Sequence, residues 1–248
     1  RRGKSNSFLK GKVLTNLFYE PSTRTSSSFY SAMSRCGGST IPINNVQFSS
    51  AAKGETFEDT VITMSTMSDA IVVRHSENGA AHKAANVSSV PIINAGDGNS
   101  EHPTQTIIDG FTIYNSFNKN LSNLRVTLIG DLKNGRTVKS LVKLLNRFDN
   151  NHFNLVSPKH LKLSNDLPKS YYETTDINEV LEETDILYVT RVQKERGSVH
   201  SYSLTSDQLN TLPSKSIVMH PFPRVNEIPT DFDKNKRAKY FDQIKFSV

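Results

Sequence analysis

Short apolar runs alternate with amphipathic stretches along this 248-residue chain, and a cluster of polar residues follows most of the apolar runs. The pattern is typical of βαβ units, in which parallel strands alternate with helices that pack on the sheet. In the first half it predicts strands over 13–18, 70–74 and 90–94, and helices over 26–36, 56–67, 80–87 and 103–117.

The pattern restarts after a polar, Asn-rich connection over 115–123, which we interpret as a domain boundary. The second half predicts strands over 124–131, 152–156, 185–189 and 216–219, and helices over 136–148 and 177–183. The sequence therefore predicts two parallel α/β domains in series. In such sheets ligands bind beyond the carboxyl ends of the strands.

Composition narrows the classes of function. The chain is 35% hydrophobic and 22% charged, and none of its apolar runs approaches the roughly 20 residues of a membrane span. The net charge of +6 makes nucleic acid a binding partner to consider. The basic residues are scattered, however, so a solvated Lys-rich surface explains them better, and we expect neither nucleic acid nor membrane as a partner.

Cysteine usage and motif content indicate that no cofactor is needed. Cys36 is the single cysteine, which excludes a disulfide framework and a thiolate metal site and fits a reducing, cytoplasmic location. No GxGxxG motif, P-loop or metal-ligand spacing is present, so neither a nucleotide nor a metal cofactor is expected. The chain begins without Met, and a targeting segment would lie upstream of Arg1.

One segment carries most of the chemical information. Ser22, Thr23, Arg24 and Thr25 lie where the first predicted strand leads into a helix. Helix N-termini favour anions, and hydroxyl and guanidinium groups donate the hydrogen bonds that phosphate oxygens accept. An ordinary helix cap is the alternative. A cap needs one hydroxyl and no arginine, so the segment favours a phosphate site.

Other polar clusters follow the remaining strands or open helices. They are Ser49 to Thr56 with Lys53, Arg74-His75, His102-Pro103-Thr104-Gln105, Gly135-Arg136-Thr137, Arg191 to Arg196, and His220-Pro221-Phe222-Pro223-Arg224. Each has an ordinary alternative by itself: a helix-cap histidine for His102, an exposed turn for Lys53, and a helix-surface position for Arg136.

In this order and spacing the clusters resemble the transcarbamoylase family, over residues 13–243. Ser-Thr-Arg-Thr at 22–25 marks the superfamily, and His-Pro-Thr-Gln at 102–105 is shared widely within it. Arg-Val-Gln-Lys-Glu-Arg at 191–196 and His-Pro-Phe-Pro-Arg-Val-Asn-Glu-Ile at 220–228 indicate the branch that uses aspartate. The Ser-Met-Gly and His-Cys-Leu-Pro sequences of the ornithine branch are absent.

The resemblance implies two doubly wound parallel-sheet domains. Residues 1–117 would be a carbamoyl-phosphate domain, 118–232 an aspartate domain, and 233–248 a segment returning toward the first. It also implies transfer of a carbamoyl group from carbamoyl phosphate to L-aspartate in pyrimidine biosynthesis. The carbamoyl-phosphate site would comprise Ser22, Thr23, Arg24, Thr25, Ser49, Lys53, Arg74, His102, Gln105 and Pro223.

Within that set the resemblance assigns catalysis to Arg24, Thr25, Lys53, Arg74 and His102. Gln105 and the backbone carbonyl near Pro223 would hold the carbamoyl NH₂. The aspartate site would comprise Lys53, Arg136, Thr137, Arg191, Gln193 and Phe222. Arg136 would bind the α-carboxylate, and Arg191 with Gln193 the side-chain carboxylate.

The family further implies a homotrimer in which Ser49 and Lys53 enter the neighbouring subunit's site, domain closure, and binding of carbamoyl phosphate first. The chain departs from the family in Ala51-Ala52, in a shorter stretch between Arg196 and His220, and at both ends. Two alternatives stay open. One is a transcarbamoylase with another amine acceptor, and the other is a silent homologue that serves as a scaffold.

Overall fold

The structure is a computed structural model that describes residues 7–44, 50–191 and 202–248. Two compact units make up the chain: one runs to Thr104 and includes Ser247–Val248, and the other is Gln105–Phe246. The domain limits at 117 and 232 stay predictions, since compactness alone does not define which residues bind which substrate.

The first unit is built on four parallel strands in the order β2-β1-β3-β4. The strands are β1 (Val13–Phe18), β2 (Ser39–Ile43), β3 (Ala70–His75) and β4 (Ile92–Asp97). The helices are α1 (Thr23–Arg35), α2 (Phe57–Ser65), α3 (Ala80–Val87) and the start of α4 (Pro103–Ser116).

Helices cover both faces of this sheet because successive side chains of a strand point in opposite directions. Phe18 packs in a cluster with Met33 of α1, whereas Leu17 packs in a separate cluster with Val61 of α2. All four side chains are nearly or fully buried. Helices on both faces explain why four of the six residues of the strand, on either side of Thr15 and Asn16, are apolar.

The second unit contains five parallel strands in the order β7-β6-β5-β8-β9. They are β5 (Arg125–Ile129), β6 (His152–Val156), β7 (Tyr171–Thr174), β8 (Ile186–Val189) and β9 (Ile217–Met219). Its further helices are α5 (Arg136–Leu145), α6 (Ser206–Thr211) and α7 (Tyr240–Lys245). Leu128 packs with Leu141 of α5, and Ile129 packs on the opposite face with Leu209 of α6.

The two-domain parallel α/β class predicted from the sequence is confirmed, with some differences in its elements. The helix predicted over 177–183 is instead a pair of 3-10 turns, Ile177–Glu179 and Leu181–Glu183, because Val180 leaves the helical region at φ −127° and ψ −8°. Helix α1 begins three residues earlier than predicted. Strands β2 and β7 were not predicted, since neither reads as an apolar run.

Within the described ranges, no helix has both the length and the apolarity that crossing a bilayer requires.

Gly130 follows the last residue of β5 and lies close to the backbone of Thr190, just beyond β8. Its φ is +121°, and a Cβ at this position would lie 2.3 Å from the carbonyl oxygen of Thr190. We expect Gly130→Ala to lower the free energy of unfolding by roughly 2 to 4 kcal/mol, measured by urea denaturation. Gly11→Ala is the control, since its φ is +79° but no atom lies within 4 Å of a Cβ. Equal losses in the two variants would contradict the steric explanation.

Candidate active site

Each sheet has one place where the strand order reverses, and the predicted site residues follow the strands that meet there. In the first unit β1 and β3 are neighbours, with Phe18 paired to Arg74. From β1 the chain proceeds through α1 to β2 on one side, while β3 lies on the other side. Such a switch point is the general ligand position of open parallel sheets. The segment 22–25 and Arg74 therefore lie at the same edge.

Helix α1 begins at this edge without a side-chain cap. Ser22 is its N-cap residue in extended geometry, at φ −154° and ψ 98°, but its side chain makes no cap hydrogen bond, and the first turn contains no acidic residue. Helix α2 is different, because the Thr56 side chain accepts from the backbone N–H of Asp59. The positive end of α1 is therefore not satisfied by its own N-cap side chain.

Arg74 is held between an acid and a histidine. Its side chain is 16% exposed, and its Nε lies 3.2 Å from Oε2 of Glu20. Nη1 of Arg74 lies 3.4 Å from Nε2 of buried His102. Guanidinium only donates, so Nε2 of His102 accepts in this contact. Its Nδ1 faces Oγ1 of Thr104 at 3.3 Å, which fits a neutral ring with the proton on Nδ1.

His75, next to Arg74 in the sequence, contributes to packing instead. Its ring lies 4.8 Å from that of Tyr19 and 5.0 Å from that of Phe57, measured between centroids. Nδ1 of His75 accepts from the backbone N–H of Glu77 at 3.0 Å. Burial lowers the pKa of His75. Of the pair 74–75, only the arginine is therefore suited to a ligand.

The second unit repeats the arrangement at β5 and β8, where Ile129 pairs with Val189. Arg136 begins α5 after β5, and Arg191 lies two residues beyond β8, both half-buried. The N-cap of α5 is Gly135, which makes no side-chain cap bond, and the first turn of α5 has no acidic residue. Two arginines thus lie at one edge that also offers an uncapped helix end.

The segment after β9 is organised by a buried histidine. Nδ1 of His220 accepts from the backbone N–H of Phe222 at 2.9 Å, so its ring proton is on Nε2, which faces Glu227 at 3.7 Å. Burial raises the pKa of Glu227, but His220 and the backbone N–H of Val225 outweigh it and leave that pKa lowered. Phe222 has φ +54°, and Pro223 is exposed. His220 therefore shapes the turn that carries Phe222 and Pro223.

Gln105 belongs to a buried hydrogen-bond network in the second unit. The carboxylate of Asp109 is fully buried and accepts from Nε2 of Gln105 at 2.8 Å, from Nε2 of Gln243 at 2.7 Å and from the Tyr188 hydroxyl at 2.7 Å. Burial raises the pKa of Asp109 to about 6. Burial and the charge of Asp109 also raise the pKa of Tyr188, whose hydroxyl is within reach of Thr137.

The structure places the predicted site residues in two groups. The first unit holds Ser22, Thr23, Arg24, Thr25, Lys53, Arg74 and His102, and the second holds Gln105, Arg136, Thr137, Arg191, Phe222 and Pro223. Lys53 is exposed and ends a 3-10 turn, Ser50–Lys53. Ser49 and Gln193 lie outside the described residues.

Sequence reasoning missed the partners of these residues. Glu20 lies two residues before the phosphate segment Ser22–Thr25, and Asp109 follows Gln105 by four positions, the spacing that brings two side chains together on a helix. Gln243 and Tyr188 carry no such local signal. Within the described part of the chain, no three His, Cys, Asp or Glu side chains are arranged to hold a metal ion.

Two family models match the chain in succession. Residues 1–115 match the carbamoyl-P binding domain of the aspartate/ornithine carbamoyltransferases, and residues 122–248 match their Asp/Orn binding domain.

Individual relatives match over nearly the whole chain. The aspartate carbamoyltransferase catalytic subunit of Thermoplasma volcanium is 48% identical over 97% of this chain and 83% of its own. The chloroplastic aspartate carbamoyltransferase of Arabidopsis thaliana is 46% identical over 96% of this chain and 65% of its own. The Trypanosoma cruzi aspartate transcarbamoylase, solved with carbamoyl aspartate and phosphate, superposes with a TM-score of 0.91 at 39% identity, covering 97% of this chain and 81% of that one.

The raised pKa of Asp109 predicts how stability depends on pH. The folded pKa of about 6 lies above the ordinary value of 3.8, so between these values the folded state binds more protons than the unfolded state. We expect the free energy of unfolding of the protein, relative to its Asp109→Asn variant, to rise by on the order of 2 to 3 kcal/mol as the pH falls from 7 to 4. Urea denaturation at several pH values measures it. A difference that is constant with pH would contradict the raised pKa.

Proposed function

The chain belongs to the aspartate/ornithine carbamoyltransferase family, and we propose that the two switch-point edges divide its substrates between them. It is a carbamoyltransferase that transfers the carbamoyl group of carbamoyl phosphate to the amine of L-aspartate, giving N-carbamoyl-L-aspartate and phosphate. The observation that carries the proposal is the repeated edge, where arginines lie beside an uncapped helix N-terminus in both units. We assign the reaction to pyrimidine biosynthesis.

The phosphate of carbamoyl phosphate would bind at the start of α1. Ser22, Thr23 and Thr25 supply hydroxyl donors there, and Arg24 adds a guanidinium. The absence of a Ser22 cap bond supports this assignment, because the hydroxyl is then available to a ligand. The helix N-terminus contributes its partial positive charge.

The carbamoyl oxygen becomes negatively charged as the amine attacks, and Arg74 is the donor best placed for it. Glu20 and His102 fix the guanidinium of Arg74 before substrate binds, so little reorganisation is needed in the transition state. Thr25 would complete the set of donors, whereas His102, whose Nε2 accepts from Arg74, would act by holding that guanidinium in place. Gln105 and the backbone carbonyl near Pro223 would accept from the carbamoyl NH₂.

Aspartate carries two carboxylates, and two arginines follow the central strands of the second unit. Arg136 would bind the α-carboxylate at the start of α5, and Arg191 with Gln193 the side-chain carboxylate. Forked guanidinium groups suit carboxylates better than lysine does. Thr137, Phe222 and Lys53 would complete the pocket.

No protein base is needed for the attacking amine if the departing phosphate accepts its proton. Catalysis would then consist of orientation and charge stabilisation by the residues named above. No cofactor is proposed. We further propose that the enzyme acts in the cytoplasm, as expected of a chain with a single cysteine.

We propose a homotrimer whose active sites are shared between subunits. Lys53 supports this proposal because its side chain, at the end of the 3-10 turn Ser50–Lys53, is exposed within its own unit. Ser49 and Lys53 would serve the neighbouring subunit's site, so a monomer would be nearly inactive.

Acceptor choice tests the proposed function directly. The protein is incubated with carbamoyl phosphate and either L-aspartate or L-ornithine, and each carbamoylated product is quantified. We expect turnover on aspartate alone, because the two arginines of the second unit match its two carboxylates. Turnover on ornithine alone would contradict the assignment, and a folded, trimeric protein inactive on both would favour a silent homologue.

The Arg136→Lys variant tests the proposed aspartate site by itself in the same assay. We expect it to raise the KM for aspartate roughly tenfold or more, because a lysine cannot form the paired hydrogen bonds of a guanidinium. The matched control is Arg125→Lys, since Arg125 begins β5, the strand that precedes α5, and forms an exposed ion pair with Glu183. Equal effects of the two substitutions would contradict the role of Arg136.

Shared sites predict complementation between two inactive chains. Lys53→Ala and His102→Ala trimers should each lose roughly 10²-fold or more in rate, because the first lacks a donor to the developing charge and the second lacks the ring that holds Arg74. After joint dissociation and reassembly, mixed trimers contain sites with both residues intact and should regain part of the activity. His82→Ala, which alters an exposed histidine on α3, is the control and should stay active. Mixed trimers that form without any gain would contradict sharing.

A further inference from the structure

The carboxylate of Asp109 is the most completely buried acid that the proposed mechanism leaves unused. It lies on α4, one turn after Gln105, with none of its surface exposed. Its Oδ1 accepts from both Gln105 and Gln243, and its Oδ2 accepts from Tyr188. Three donors from α4, α7 and β8 thus converge on one side chain. A purely structural position of this kind is more often apolar.

The chemistry of a carboxylate determines which way the Gln105 amide points. An ionised carboxylate only accepts hydrogen bonds, so Gln105 must present its NH₂ to Asp109. Its Oε1 then faces away, on a side chain that is only half-buried. Gln243 obeys the same constraint, with Nε2 on Asp109 and Oε1 accepting from the backbone N–H of His220 at 2.9 Å. Both amides are therefore fixed in one of their two orientations.

A fixed amide oxygen is what a carbamoyl NH₂ requires, since that group donates. We propose that Asp109 is a positioning residue that holds Gln105 with its Oε1 toward the carbamoyl NH₂ of carbamoyl phosphate. The inference rests on the proposed function. Without this hydrogen bond the Gln105 amide could turn over and present its NH₂ to the carbamoyl NH₂, so that two donors would face each other.

The groups around Asp109 indicate which substitution preserves the arrangement. The two amides and the Tyr188 phenol face it, and Tyr188 keeps its proton because its pKa is raised well above 10. An asparagine could keep its oxygen on the two amides and turn its NH₂ to the Tyr188 oxygen. Asp109→Asn is therefore the conservative variant. Asp109→Leu removes the acceptor at similar volume.

The test compares steady-state kinetics of the trimeric enzyme across these variants, with carbamoyl phosphate and aspartate varied separately. We expect Asp109→Leu to lower kcat/KM for carbamoyl phosphate roughly 10- to 100-fold, with a much smaller change in the KM for aspartate. Asp109→Asn should stay within about twofold. In a Gln105→Ala background, Asp109→Leu should cause little further loss, because its effect passes through Gln105.

Control variants distinguish a loss of folding from a loss of the positioning of Gln105. Thr112→Val changes another fully buried polar residue of α4, whose hydroxyl donates only locally to the carbonyl of Ile108, and should leave the kinetics unchanged. If Asp109→Leu does not fold, Asp109→Ser tests the same point with a shorter polar group. Unchanged kinetics in a folded Leu or Ser variant, or an equal loss with and without Gln105, would overturn the inference. If the proposed function itself were wrong, the unaltered protein would be inactive in the same assay.

Discussion

The reversal of strand order in each sheet is the constraint on which the rest of the molecule depends. Because β1 pairs with β3, and β5 with β8, the segments that follow these strands diverge from neighbouring points at one edge. The strands β1 and β5 each lead into a helix whose first backbone N–H groups have no partner within the helix. Arg74 lies at the end of β3, Arg136 begins α5, and Arg191 follows β8. The two proposed anion sites thus share one backbone arrangement although their local sequences are unrelated.

The sequence predicted best the elements that are mostly apolar and buried. Strand Val13–Phe18, helix Ala80–Val87 and strand His152–Val156 have the predicted limits, because apolar residues outnumber polar ones in each strand and the helix buries Ala80, Ala81 and Ala84. Strands β2 and β7 lie at sheet edges and are partly exposed, so their residues carry a weaker signal. The turns over 177–183 have helical composition, and only the backbone at Val180 separates them.

For the candidate site, the sequence motifs predicted the residues that we propose to face a ligand but not the residues that hold them in place. Hydroxyls and arginines are conspicuous because an anion needs them. The partners are dispersed: Tyr188 lies 79 positions and Gln243 lies 134 positions from Asp109 along the chain. Only the fold brings these groups together, and a single sequence contains no record of such distant pairs.

The uncapped start of α1 has a consequence for attempts to make this protein more heat-resistant. Helix-cap optimisation would install Asp at position 22 and an acidic residue in the first turn, since both normally stabilise a helix. Here a carboxylate would occupy the positive end of the helix and repel phosphate from it. Selection for heat resistance alone, without a measurement of activity, would therefore favour variants that no longer bind phosphate. The uncapped end of α1 thus lowers the stability of the helix and leaves the proposed phosphate site open.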